Sequence, residues 1–296
     1  MILVTGVSGF IGKKLLTALV KEHGAQHILA LTSKPTSECP YLLHHDYTFE
    51  KDYLIKSGYE SIHTILHVGA FTPKSASEVN DWIRCSSNIT NTQKLLQLEL
   101  PQLNKFIFLS TVDVYGKAEM IAENSPIEPA SLYGNSKLYC EKMISSWAKN
   151  HHKLLHLLRV GHIYGPGEEA YQKLIPATIQ KLLANQSLQM WGTGNEIRSF
   201  LFIDNLIGAI LKSVIIDSDI GIVNLVGSEK ITVRELTELL REISGVNALI
   251  ETVATTVEGR SLIFDNSKMQ RELGQFEIPI RQGLTEEWEY MKKLKR

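Results

Sequence analysis

Met1-Ile-Leu-Val-Thr-Gly6-Val-Ser-Gly9-Phe-Ile-Gly12-Lys-Lys14 begins with a short apolar run, passes through three spaced glycines and continues into a stretch of helical period. A strand, a tight turn and a helix in that order bring backbone amides to a helix N-terminus, where an anion is favoured. Glycine at such a turn permits sharp backbone curvature and close approach of a pyrophosphate. The spacing is G-x-x-G-x-x-G, one residue longer than the commonest dinucleotide fingerprint. Gly6, Ser8, Gly9, Phe10, Ile11 and Gly12 are therefore candidate cofactor-binding residues; the competing reading is a glycine-rich turn without a ligand.

Outward from this loop, short apolar runs alternate with longer stretches of helical period. Strands are expected at 1–4, 27–31, 64–68, 105–109 and 154–160, and helices at 13–22, 87–98 and 136–150. Several of the runs are almost continuous Val, Ile, Leu and Phe, as strands covered on both faces should be. Right-handed crossovers then give an α/β fold, a Rossmann-type doubly wound parallel sheet with ligands at its carboxyl edge. After Tyr164-Gly-Pro-Gly167 the pattern changes to a helix at 172–184, a glycine turn at 192–194, a strand and helix across 197–214, a strand at 222–225 and an amphipathic helix at 232–244. The expected division is a dinucleotide-binding domain of residues 1–165, to which 197–225 returns, and a smaller C-terminal α/β substrate lobe of 166–196 and 226–296.

The chain has 296 residues, 44% hydrophobic and 21% charged, with 31 basic and 32 acidic side chains. That is the composition of an ordinary globular protein, and it lacks the broad field that would recruit nucleic acid or an anionic membrane. Cys39, Cys85 and Cys140 are odd in number and lack C-x-x-C spacing, so no disulfide framework and no metal site is expected. A cytoplasmic setting fits these thiols and the absence of a signal-like leader before the glycines.

Strand 27–31 runs into Thr32-Ser33-Lys34, whereas an NAD-binding strand of this kind usually ends near an Asp or Glu for the ribose hydroxyls. Two hydroxyls and an ammonium suit a 2′-phosphate, so NAD and NADP both stand open; a polar loop is the alternative. Asp46 can face the adenine or cap a turn. Strand 105–109 leads into Ser110-Thr111-Val112-Asp113-Val114-Tyr115-Gly116, hydroxyls at the sheet's carboxyl edge, and Tyr133-Gly-Asn-Ser-Lys137 enters a helix on which residues four apart share a face. A free phenol has a pKa of about 10, too high for an efficient neutral base. Lys137 beside it, with a positive nicotinamide ring, would favour the phenolate of Tyr133, and Thr111 would hold the reacting oxygen in line.

Taken together, these motifs resemble the extended short-chain dehydrogenase/reductase group, the NAD-dependent epimerase/dehydratase family acting on nucleotide sugars. The resemblance extends to His67-Val68-Gly69-Ala70 at a strand end, to Asn88 on a helix, to Ser110 through Gly116, to Arg159 through Pro166 and to Gly192 through Phe200. It implies catalytic roles for Thr111, Tyr133 and Lys137, with Tyr133 and Lys137 also against the cofactor. It further implies cofactor contacts from Thr32, Ser33, Lys34, Asp46, Tyr47, His67, Val68, Gly69, Ala70 and Asn88. Substrate contacts would come from Thr111, Val112, Asp113, His162, Trp191, Arg198 and Arg260, with Arg198 clamping a diphosphate. Trp191 can equally be core, and Arg260 a surface ion pair. The family's asparagine before Y-G-P is His162 here, and the Asp-Glu pair of its 4,6-dehydratases is Val112-Asp113, which disfavours elimination of water.

The functions left are epimerisation at the sugar 4-position through a transient ketone, net reduction of a 4-keto nucleotide sugar by NADPH, and non-catalytic sensing of a dinucleotide. Retention of Thr111, Tyr133 and Lys137 speaks against the last. The resemblance also implies a homodimer in which helices 87–98 and 136–150 pair across a two-fold as a four-helix bundle.

Overall fold

The structure is a computed structural model that describes residues 1–48, 58–69, 71–256, 259–276 and 278–295; Ala70 lies outside the described residues. The principal sheet is built from β1 (Ile2–Thr5), β2 (Ile28–Thr32), β3 (Tyr41–Leu43), β4 (Thr64–His67), β5 (Lys105–Thr111), β6 (Leu154–Val160) and β10 (Gly221–Leu225). Its order is β10-β6-β5-β4-β1-β2-β3, and every neighbouring pair is parallel. The strand order reverses between β1 and β4, which places a crevice at their carboxyl ends. Thr5 pairs in register with His67, and Thr111 with Val160, so the residues following these strands emerge on one edge.

Alternation along the strands builds two apolar layers. Ile2, Val4, Ile28, Ala30, Ile107 and Leu109 face Leu15, Leu16 and Leu19 of α1 (Phe10–His23) and Leu206 and Ile210 of α5 (Ile203–Ile215). Leu3, Leu29, Leu31, Phe106 and Phe108 face Leu95 of α2 (Trp82–Leu96) and Cys140, Ile144 and Ala148 of α3 (Leu132–Asn150). A period of two on strands between helices on both sides gives this arrangement directly.

Two helices begin earlier than their apolar period suggests, because capping residues set their starts. The Asp81 side chain accepts from Arg84 N and starts α2 at Trp82 rather than near 87. The Ser131 side chain accepts from Gly134 N and starts α3 at Leu132 rather than 136. The second shift matters chemically, since Tyr133 and Lys137 then both lie on one helix.

The remaining elements are β7 (His162–Tyr164), α4 (Leu174–Leu183), β8 (Leu188–Trp191), β9 (Ile197–Phe202), β11 (Lys230–Thr232), α6 (Val233–Ser244), β12 (Ile250–Val253), α7 (Ser267–Leu273) and α8 (Ile280–Leu294). Strands β11, β9 and β7 form one small sheet, and β12 with β8 another. Helix α6 carries a complete capping box, Thr232 with Glu235, and stops at Gly245 in the left-handed region. Ile179, Leu236, Leu240, Leu284 and Trp288 join the apolar layer of α1 and α5. Against this layer, Glu168 and Glu287 of α8 are each 1% exposed, and their carboxyl groups meet each other and the Gly165 backbone. Burial raises both carboxyl groups, and the charge of Glu168 raises Glu287 further. A proton held between them removes the repulsion. No helix among the described residues is long and apolar enough to cross a membrane.

Candidate active site

A cavity of about 570 Å³ runs along the carboxyl edge of the sheet. One end is walled by Gly6, Ser8, Gly9, Phe10, Ile11 and Gly12, with Thr32, Ser33, His44 and Tyr47 beyond. The other end holds Thr111, Val112, Asp113, Tyr133, Lys137 and His162.

The glycine loop is fixed by contacts that a side chain would destroy. Gly6 has φ +73°, and a Cβ there would strike the backbone of Gly69. A Cβ on Gly12 would overlap the carbonyl of Gly6. Gly9 is different: its nearest obstacle is the Gly6 oxygen at 3.4 Å, so its backbone faces open space at the start of α1. No acidic residue stands in the first turn of α1. A backbone brought this close to an open cavity at a fourteen-residue helix fits a pyrophosphate.

Behind the loop, His67 is buried, with Nδ1 2.8 Å from Thr5 Oγ1 and Nε2 3.1 Å from Thr92 Oγ1. Asn88 accepts from Phe71 N through Oδ1 (2.7 Å) and donates through Nδ2 to Ser136 (3.1 Å). These two side chains hold the β4 strand end and the segment after it against α2 and α3; neither lines the cavity. Val68 and Gly69 do. Gly69 leaves room for the Tyr47 hydroxyl, since a Cβ there would collide with it.

At the reacting end, Tyr133 is surrounded by Thr72, Thr111, Asp113 and Tyr171, and its ring meets Phe71 edge-on at 6.3 Å. Burial, then the Asp113 carboxylate, push the phenol up; hydrogen bonds from Thr72 and Thr111 lower it. The lowering expected from Lys137 is not delivered by the chain alone, because its ammonium is directed elsewhere. Lys137 Nζ donates to Leu109 O at 2.5 Å and lies 4.4 Å from the centre of the Phe108 ring. Burial lowers Lys137 to about 8. Asp113 is open to water through the cavity yet enclosed by protein on most sides; this desolvation raises its carboxyl, while Thr111 and Lys173 lower it.

One helical turn beyond Lys137, Glu141 grips Arg159 through Oε1–Nε (3.0 Å) and Oε2–Nη2 (2.7 Å) and accepts from Ser110 Oγ (2.5 Å). The side chains of Glu141 and Arg159 are 4% and 3% exposed. This bidentate pair joins α3 to β5 and β6, the strands beside the reacting groups.

His162 stands half-buried in the cavity wall; desolvation, then the charges of Lys173 and Arg198, bring it down to about 4. It is therefore a neutral imidazole, and its Nδ1 has no partner among the described residues. Arg198 donates to Ile197 O (3.0 Å) and Arg260 O (2.5 Å), and Arg260 donates to Gly116 O (2.5 Å). These two arginines, and Trp191 at 63% exposure, are set apart from the cavity wall, as are Lys34 and Asp46. Conversely, Thr72, Arg84, Tyr171, Gln172 and Lys173 line the cavity without having been read from the sequence. Tyr171 to Lys173 follow Y-G-P-G by a few residues, the one signal that pointed their way.

Residues 2–218 match the profile described as NAD dependent epimerase/dehydratase family. The chain is 27% identical to the uncharacterized UDP-glucose epimerase YtcB of Bacillus subtilis (strain 168), over 99% of this chain and 98% of that one. It is 28% identical to the dTDP-D-glucose 4,6-dehydratase of Dictyostelium discoideum, over 77% of this chain and 58% of that protein's length. It superposes on the UDP-glucuronic acid 4-epimerase of Bacillus cereus, solved in complex with NAD, with a TM-score of 0.84 at 26% identity, covering 99% of this chain and 96% of that one. With almost three quarters of its length inside one profile and its glycine loop, hydroxyl cluster and Tyr133–Lys137 helix on one cavity, the chain belongs to the NAD dependent epimerase/dehydratase family of enzymes.

Proposed function

We propose that the protein epimerises a nucleotide sugar at the 4-position through a transient 4-keto sugar. The carrying observation is that Thr111, Tyr133 and Lys137 share one end of a cavity whose other end is the glycine loop. In this reading a nicotinamide dinucleotide, NAD or NADP, supplies the hydride acceptor and donor. The amides of the Gly6–Gly12 loop hold its pyrophosphate, and Lys137 binds its ribose. Thr111 and Tyr133 hydrogen-bond the sugar hydroxyl, and Tyr133 takes that proton as the alcohol is oxidised. The same phenol returns it after the ketone has turned over in the site. Neutral His162 offers an uncharged donor or acceptor to the substrate. With Val112 where a dehydratase has its first carboxylate, elimination of water has no complete acid–base pair.

Incubation with UDP- or dTDP-sugars and a trace of dinucleotide, followed by NMR of the sugar, tests this: the 4-epimer should accumulate without net change in the nicotinamide. A second reading, NADPH-dependent reduction of a 4-keto nucleotide sugar, is favoured by the absence of a carboxylate in Thr32-Ser33-Lys34. Stoichiometric NADPH consumption without an epimer would replace the first reading by the second. The division into a dinucleotide domain of residues 1–165 with 197–225, and a substrate lobe of 166–196 with 226–296, belongs to the same proposal, as do a cytoplasmic setting and the dimer through α2 and α3.

A further inference from the structure

Tyr133, Lys137 and Glu141 follow one another at intervals of four on α3, so their side chains share one face of the helix. Glu141 is buried and does not line the cavity. Its Oε1 accepts from both Ser110 Oγ and Arg159 Nε, and its Oε2 from Arg159 Nη2. Ser110 immediately precedes Thr111 on β5 and pairs in register with Arg159 on β6. One carboxylate thus ties the helix that carries the phenol and the ammonium to the strand that carries the threonine. The guanidinium is itself fixed to the sheet: its Cζ lies 4.7 Å from the centre of the Tyr115 ring, and the Tyr115 hydroxyl donates to Asn224 Oδ1 of β10 (2.7 Å). Glu141 therefore has a rigid partner, and α3 takes its register from it.

The same carboxylate acts on charge. From β5 the Lys137 ammonium meets the Leu109 carbonyl and the Phe108 ring, from β4 it faces His67, and from α3 Cys140 and Glu141. Thr111, Asp113 and Tyr133 share its end of the cavity, and Arg159 of β6 lies beyond Glu141. Burial keeps the His67 imidazole and the Cys140 thiol neutral and the Tyr133 phenol protonated. The Asp113 carboxylate acts on Tyr133. Glu141 is the carboxylate that opposes the desolvation of Lys137.

We propose that Glu141 is a positioning residue of the hydride chemistry: its carboxylate holds the Tyr133–Lys137 face of α3 in register with Thr111 and keeps the Lys137 ammonium charged in a buried place. This part for Glu141 rests on the reading of Tyr133 and Lys137 as the proton-transfer pair.

Two substitutions in the full chain separate register from charge. Ser110→Ala cuts the tie to β5 and leaves the Glu141–Arg159 pair, whereas Glu141→Gln keeps the shape and removes the anion. With a UDP- or dTDP-sugar and the dinucleotide, Ser110→Ala should lower kcat per folded molecule by about three- to thirtyfold and leave KM within about twofold. Glu141→Gln should lower kcat further. Heteronuclear NMR of isotope-labelled lysine, with the Lys137 signal assigned by its loss in Lys137→Met, reads the charge directly. In Glu141→Gln, Lys137 should lose its proton at a pH lower by about half a unit or more, since an anion is gone while Arg159 stays charged. Glu141→Asp should leave that titration close to the native one while kcat stays reduced, because the shorter side chain keeps the charge and loses the reach. A Lys137 titration unmoved in Glu141→Gln overturns the inference, and so does a native kcat in Ser110→Ala; both leave the proton-transfer reading standing. Should Glu141→Gln not fold, Ser110→Ala decides alone. A native chain that turns over no nucleotide sugar overturns the proposed function, and the lysine titration then decides the inference by itself.

Discussion

Tyr133 carries a phenol that its own chain makes harder to ionise, through burial and the Asp113 carboxylate. A group so placed moves a proton only while Thr72 and Thr111 share it and a cation stands near, so its removal should be costly. Tyr133→Phe should lower kcat by about 100- to 10,000-fold while nucleotide-sugar binding, read by calorimetry, stays within a few-fold. Lys137 sets the alkaline side of the profile. Its ammonium, lowered to about 8, is present below that pH and lost above it, so kcat/KM should fall off above about pH 8. Glu141 holds a buried guanidinium, so its loss should be costly to the fold. Glu141→Ala leaves the Arg159 guanidinium charged and buried without its partner, and denaturant unfolding should show a loss of about 3–5 kcal/mol. Replacing both residues by leucine and methionine should recover much of that loss.

The loop between β1 and α1 assigns its three glycines different burdens. Gly9→Ala meets ordinary van der Waals space, whereas Gly12→Ala drives a methyl into the Gly6 carbonyl. Gly12→Ala should abolish dinucleotide binding in a fluorescence titration, while Gly9→Ala should weaken it less. At this scale the sequence was most legible. The β1–loop–α1 unit, the strands of the principal sheet other than the three-residue β3, and α6 follow from apolar period and turn residues, since both periods are local properties of the chain. The starts of α2 and α3 were not, because Asp81 and Ser131 override the apolar pattern. The two small sheets escaped for another reason: β7 has three residues and β8 four, and they are strands only through partners far along the chain. The same distance hid Thr72 and Lys173. Arg198 shows the opposite failing, where a motif named the residue but only folding directed its guanidinium to the carbonyls of Ile197 and Arg260.

Across the whole molecule, α2 packs on α3, and their outer faces leave Trp82, Ile83 and Tyr139 exposed at 70%, 62% and 56%. Large apolar side chains left exposed on these two helices would suit the proposed dimer through α2 and α3. Light scattering should find a dimer, and Trp82→Glu combined with Tyr139→Glu should give a monomer with an unchanged circular dichroism spectrum. The acid pair Glu168 and Glu287 acts at this scale too, since it joins α8 to the segment that supplies Tyr171, Gln172 and Lys173 to the cavity. Both folded-state values are raised, so the stability they contribute is complete below the unfolded value near 4.5 and is lost as pH rises through the folded ones. Glu287→Gln should therefore raise Tm by a few degrees at about pH 9 and change it little at about pH 5. The pair thus makes alkaline rate measurements on the native chain ambiguous, for a wall that loosens and a lysine that discharges would trace the same descending curve. Only in the Glu287→Gln background does that curve become a titration of Lys137.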